Sequence, residues 1–199
     1  MSLVKYTAKR NFEKTPEPKA IKKNNSATLS FVVQRHKASH LHYDLRLEMD
    51  GVLKSWAVPK GPSMNPGDKR LAMMVEDHPY SYKDFKGVIP EGYGAGIVEI
   101  WDSGKYTDIE SSGKDAEKKL EAGLNAGSLK FILFGKKLKG EFALVKLKSK
   151  QENAWLLIKH KDEHAVSRAY DSEEETVKTS PINKWLAANN KPEKKNSTR

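Results

Sequence analysis

The chain has 199 residues, of which 37% are hydrophobic and 31% charged, with a formal net charge of +10 and no cysteine. That length suits one domain able to bury its own core without covalent staples. The absence of cysteine excludes disulfides and thiolate metal sites, no apolar run is long enough for a membrane-spanning helix, and the basic balance favours polyanionic partners, nucleic acid above all.

Residues 1–26 are polar and basic around Thr15-Pro16-Glu17-Pro18, with no apolar stretch of signal-peptide type, and read as an extended arm. Residues 27–170 carry the apolar periodicity of a folded domain. Thr28 to Arg35 is a β-rich run. Next, Tyr43, Leu45, Leu47 and Met49 alternate with His42, Asp44, Arg46 and Glu48, the period-2 signature of a strand. Asp50-Gly51 supplies a tight hairpin turn and Val52 to Val58 returns from it. Pro59 to Pro66 is a loop, and Arg70 to Asp77 is another strand candidate with Arg70, Glu76 and His78 on one face and Leu71, Met73 and Val75 toward the core. Ile97 to Asp102 and Lys105 to Ile109 flank Ser103-Gly104, a second hairpin signal. Lys114 to Asn125 is the clear helix, with Ala116, Leu120 and Leu124 four apart and Gly127 as its stop. Ser128 to Phe134, Gly140 to Leu147 and Ala154 to Lys159 complete the strands. Residues 171–199 begin with an acidic run, end Lys- and Asn-rich, and are expected to be disordered, with Ile182 to Ala188 as a patch able to dock as a helical turn. Many short strands with one or two short helices predict a mainly β (α+β) single-domain β-barrel.

Chemistry concentrates in His36-Lys37-Ala38-Ser39-His40-Leu41-His42-Tyr43-Asp44-Leu45-Arg46, which holds three of the six histidines. Strand parity puts His42, Asp44 and Arg46 on one face, and a histidine at the end of the preceding strand can join them. His36 and His40 both satisfy that condition. Two imidazoles and a carboxylate make a site for a borderline divalent metal with open positions, and a fixed guanidinium beside it suits a phosphate. A polar strand face with incidental histidines is the plainer alternative. His78 stands at a rim where Pro79 ends the strand, positioned to bind phosphate or move a proton; Glu76 and Arg70 also read as a surface ion pair. Lys60, at a strand end beside Gly61-Pro62, can meet a phosphate as a point charge. The glycines of Pro90-Glu91-Gly92-Tyr93-Gly94-Ala95-Gly96 permit close backbone approach.

The stretch His42-Tyr43-Asp44-Leu45-Arg46-Leu47-Glu48 through Trp56-Ala57-Val58-Pro59-Lys60-Gly61-Pro62-Ser63 closely resembles the 3′-phosphoesterase module of bacterial DNA ligase D and its free-standing archaeal and bacterial relatives. The resemblance continues through Val75-Glu76-Asp77-His78-Pro79, Gly94-Ala95-Gly96 and Trp155-Leu156-Leu157-Ile158-Lys159, and covers roughly residues 6 to 170. It implies a β-barrel and a manganese-preferring enzyme that removes a 3′-terminal ribonucleoside from a primer strand and then the resulting 3′-phosphate, leaving a ligatable 3′-OH. It implies His36, His42 and Asp44 as metal ligands, with Arg46 and His78 on the scissile phosphate. Lys60, Arg70, Glu76 and Tyr82 would support the active site, and Arg10 and Glu17 in the arm would bind substrate. Asn11 stands where the family usually has aspartate, Lys86 where glutamate is common, and the glycine-rich loop is one residue shorter than in many relatives. The implied partners are a DNA primer-template with a 3′-ribonucleotide or 3′-phosphate end, and ligase, polymerase and Ku-type end-joining proteins acting from separate chains. The implied location is cytoplasmic and nucleoid-associated, with no membrane partner. Two rivals remain at this stage. A non-catalytic nucleic-acid-binding module explains the charge but not the clustered ligands, and a non-haem iron oxygenase explains His42-x-Asp44 but suits the arginines less well.

Overall fold

Alternation alone builds the centre of the fold. In the computed structural model, which describes residues 3–22, 28–148 and 151–189, β1 (Leu29–Lys37), β2 (Leu41–Met49) and β3 (Val52–Val58) form consecutive antiparallel pairs. Asp50 and Gly51 both take positive φ (52° and 69°), as a two-residue hairpin turn of this hand requires. The remaining strands are β4 (Lys69–Met74), β5 (His78–Pro79), β6 (Gly87–Ile89), β7 (Gly96–Asp108), β8 (Ser128–Phe134), β9 (Lys139–Lys146) and β10 (Ala154–Lys159). The order β1-β2-β3-β4-β10-β9-β8-β7 returns to β1 through the β1–β7 ladder and closes an eight-stranded barrel, the mainly β architecture expected. Outside the ring, β5 pairs with β3 and β6 with β7. Helix α1 (Leu3–Ala8) precedes the barrel, α2 (Gly113–Ala126) crosses between β7 and β8, and α3 (Pro181–Asn189) follows β10. Gly127 ends α2 in the left-handed region (φ 76°), its N–H bonded to the Gly123 and Leu124 carbonyls.

The inward residues of β1–β3, among them Phe31, Val33, Leu45, Leu47 and Trp56, pack with Phe131, Phe142 and Trp155 in the main core. Because side chains alternate, Gln34, His36, His42, Asp44 and Arg46 emerge on the opposite, outer face. A second apolar cluster of Tyr6, Leu53, Tyr82, Phe85, Ile89 and Val98 covers part of that face. The catalytic candidates therefore lie between the barrel wall and an overlay made by the arm and residues 76–94.

Four expectations need correction. There is no hairpin at Ser103-Gly104: β7 runs unbroken through it, and a Cβ at Gly104 would collide with the Phe134 carbonyl, so this glycine marks close backbone approach. On β4 the parity is reversed, with Ala72 fully buried opposite Trp155 and Leu71 43% exposed. The small alanine fits against the inward indole, and the strand stops at Met74, so its alternation does not extend to Glu76 and His78. The arm is not simply extended: Tyr6 is fully buried and donates to the Pro18 carbonyl at 2.6 Å. Residues 171–189 are not disordered. Ser172 and Ile182 are fully buried, and Glu173 accepts from Arg35, itself fully buried, across 138 residues of chain. The local acidic composition gave no hint of that distant partner; residues 190–199 lie outside the described residues.

Candidate metal and phosphate site

Cross-strand register brings the donors together. His36 pairs directly with His42, and Gln34 with Asp44, so the two imidazoles and the carboxylate converge with ring centroids 4.8 Å apart. One donor atom from each of His36, His42 and Asp44 lies within 4.8 Å of the others, while His40 is outside the cluster. Each imidazole is oriented by a carbonyl. His36 Nε2 lies 2.9 Å from the Gly94 carbonyl, and His42 Nδ1 lies 3.0 Å from the His40 carbonyl. A carbonyl only accepts, so in the neutral rings these nitrogens carry the proton. The other nitrogens, His36 Nδ1 and His42 Nε2, then aim lone pairs at Asp44 oxygens 3.7 and 3.6 Å away. Two lone pairs facing a carboxylate repel unless a cation lies among them. The donor set thus fits a divalent metal, with both ring orientations fixed by outer hydrogen bonds.

Arg46 is 3% exposed and held on three sides: it donates to Asp44 Oδ2 at 3.0 Å, Gln34 Oε1 at 2.7 Å and Ser55 Oγ at 3.0 Å. Burial, the largest single influence, opposes ionisation of Asp44, but the Arg46 charge together with the His36 and His42 interactions outweighs it and holds the carboxyl well below the usual range. Gln34 is braced in turn by donating to the Tyr82 and Phe85 carbonyls.

A second layer comes from the arm. Arg10 donates to Glu17 at 2.9 Å and to Glu76 at 3.4 Å, and its Nη2 reaches His78 Nε2 at 3.2 Å. Glu17 also accepts from Tyr82 at 2.8 Å, and Glu76 from Lys9 at 2.9 Å. Burial, the largest single influence, works against Glu76 ionising, and the Lys9 hydrogen bond, a backbone hydrogen bond and the Lys9 and Arg10 charges together reverse that, leaving its pKa lowered. His78 donates from Nδ1 to the Glu76 carbonyl at 2.9 Å, which leaves its Nε2 lone pair for Arg10. Burial, then the charges of Arg46 and Arg10, push its pKa well below the ordinary histidine value, so the ring is neutral near pH 7. Apart from Lys9, Gln34 and Ser55, which brace from outside, these groups line one cleft of about 150 Å³ together with Tyr93 and Gly94. That is small beside the ~300–1,000 Å³ of small-molecule sites, and suits a phosphate whose attached chain lies outside.

A family model described as the DNA ligase D 3′-phosphoesterase domain matches residues 34–146. The chain belongs to that family. It is 49% identical over 170 residues to the multifunctional non-homologous end joining protein LigD of Pseudomonas aeruginosa, a match covering 83% of this chain and 19% of that protein. It is 43% identical over 165 residues to the Mycolicibacterium smegmatis LigD, with 81% and 21% covered. For the Mycobacterium tuberculosis H37Rv protein the identity is 41% over 163 residues, with 81% and 20% covered. The chain spans about a fifth of the length of these curated relatives.

In this member of the ligase D phosphoesterase family, the structure gathers most of the expected site residues but not all. His36, His42, Asp44, Arg46, Glu76, His78, Tyr82, Arg10 and Glu17 line the same cleft. Lys60 and Arg70 line a separate depression with Tyr43, Tyr170 and Glu173 instead. Arg70 there donates to Asp68 at 2.8 Å and the Tyr170 carbonyl at 2.7 Å. Gln34, Ser55 and Tyr93 belong to the surroundings of the site and carry no motif of their own. Gln34 shares the parity of His36, and Ser55 the face opposite Trp56, which is the signal available for them. Among the described residues no helix is long and apolar enough to cross a membrane.

Proposed function

We propose that this chain heals DNA 3′ ends, removing a 3′-terminal ribonucleoside and then the 3′-phosphate left behind, with a divalent cation such as Mn2+ held by His36, His42 and Asp44. The carrying observation is the pair of carbonyl-oriented imidazoles whose lone pairs meet the Asp44 carboxylate beside Arg46. Membership of the phosphoesterase family supports the reaction class.

Each step is in net terms a hydrolysis: a water oxygen becomes bonded to phosphorus and the departing oxygen takes up a proton. The bond to the 5′ oxygen of the terminal nucleoside breaks in the first step, and the bond to the 3′ oxygen in the second. His36, His42 and Asp44 would hold the divalent cation, which when bound would supply Lewis acidity. Arg46, fixed by Gln34, Ser55 and Asp44, turns its remaining N–H groups to the phosphate without reorganising. His78, neutral and tied to the Glu76 carbonyl, holds an Nε2 that accepts a proton or a donor hydrogen bond; an incoming phosphate competes for Arg10, its present partner. Glu17 and Glu76 keep Arg10 at the cleft, and Tyr82 buttresses Arg46 with its ring at 4.8 Å. Lys60 and Arg70 line a separate depression and take no part in holding the phosphate in this reading. Ligase, polymerase and Ku-type proteins, acting at the same ends in the cytoplasm, would use the product.

The test is a primer-template ending in one 3′-ribonucleotide, incubated with manganese or with EDTA. Sequential loss of nucleoside and phosphate with manganese supports the reading. Binding without end processing favours a non-catalytic module.

A further inference from the structure

The metal cleft opens into a second cleft of about 400 Å³ between the arm and the glycine-rich loop, and Arg10, Glu17 and Tyr93 line both. The second space falls in the size range of small-molecule sites, whereas the first does not. Tyr93 is 51% exposed although it stands between two clefts, and Lys9 lies over its ring at 4.2 Å. Gly92 and Gly94 on either side take positive φ (85° and 79°), backbone conformations that glycine adopts readily. Across the opening, Lys14 of the arm pairs with Glu91 of the loop at 2.8 Å. A half-exposed aromatic ring with Lys9 and Arg10 over it, and amide and carboxylate groups one step from a phosphate site, match the chemistry of a nucleoside.

We infer that this second cleft is a nucleoside subsite, in which Tyr93 stacks on the base lying beyond the scissile phosphate. The inference rests on the proposed end-healing reaction, which places a nucleoside on that side in the first step and none in the second. Stacking of a base on an aromatic side chain is worth roughly 1–3 kcal/mol, or about 5- to 150-fold in binding. Tyr93 has one other route to the site, because the next carbonyl, that of Gly94, orients His36. A purely structural effect through that bond would impair both reaction steps alike.

The test uses the full chain and two labelled primer-templates, one ending in a single 3′-ribonucleotide and one in a 3′-phosphate, for wild type, Tyr93→Ala and Tyr93→Phe. Anisotropy titrations in EDTA measure binding without turnover, and manganese assays then give KM and kcat. Tyr93→Ala is expected to weaken binding and raise KM at least fivefold for the ribonucleotide end only, with Tyr93→Phe close to wild type. Equal losses on both ends, or no loss on the ribonucleotide end, would overturn the subsite. Selective weakening by Tyr93→Ala in EDTA, together with a wild type that processes neither end in manganese, would uphold the subsite and sink the end-healing reading instead.

Discussion

Asp44 meets two imidazole lone pairs and one guanidinium within 3.7 Å, so its charge has two claimants. Asp44→Asn should abolish manganese-dependent turnover in an end-processing assay. Arg46→Ala should instead lower kcat by roughly 10²- to 10³-fold while the metal still binds, the cost of removing a fixed donor to developing charge. His78 gives a pH signature. Its folded-state pKa is depressed, so the unfolded chain binds more protons below the ordinary histidine value of 6.5. Stability from this group is fully present above pH 6.5 and declines as pH falls toward the folded pKa, by at most about 1.4 kcal/mol per pH unit. Chemical denaturation across that range should show a shallower decline in His78→Asn than in wild type. The His42, Asp44 and Arg46 face was legible because period-2 alternation is local. The choice of His36 over His40 was not, because it depends on the register that sets His36 opposite His42 and on the Gly94 carbonyl, 58 residues away.

The arm and the C-terminal segment are elements whose structure comes from what they touch. Tyr6 sits edge-on to His78 and Tyr82 with Arg10 over its ring at 3.8 Å, so the arm is both a cover for the second apolar cluster and a carrier of Arg10 and Glu17. Tyr6→Ala should cost about 3 kcal/mol in a urea melt, the lower end for losing a buried aromatic, and should reduce turnover by loosening Arg10. At the other end, Arg35 is enclosed by Glu173, Glu99 and Asn183. A chain ending before Asp171 keeps only Glu99 of these and should lose about 3 kcal/mol, read as a lowered Tm. The central strands and α2 were readable because their apolar spacing and stop signals are local. The unbroken β7 and the reversed parity of β4 were not. Gly104 looks like a turn residue until the Phe134 carbonyl is beside it, and Leu71 looks like a core residue until Ala72 is seen against Trp155.

At the scale of the whole molecule, barrel closure spends the inner face of β1–β3 on the core and leaves the outer face for chemistry. The sequence predicts a barrel from its many strands, but the β1–β7 ladder that closes it joins segments with no local mark of partnership. The net charge of +10 acts on the same scale. Affinity for DNA ends should fall as a straight line in log salt, with a slope near 0.9 per phosphate contacted, and removing metal ligands should leave that slope unchanged. The most direct measurement is a calorimetric Mn2+ titration of wild type, His42→Ala and Asp44→Asn, each checked for an intact fold. One tightly bound ion in the wild type and none in either variant is the predicted result. An unaltered stoichiometric site in Asp44→Asn would contradict the assignment of His36, His42 and Asp44 as the metal centre.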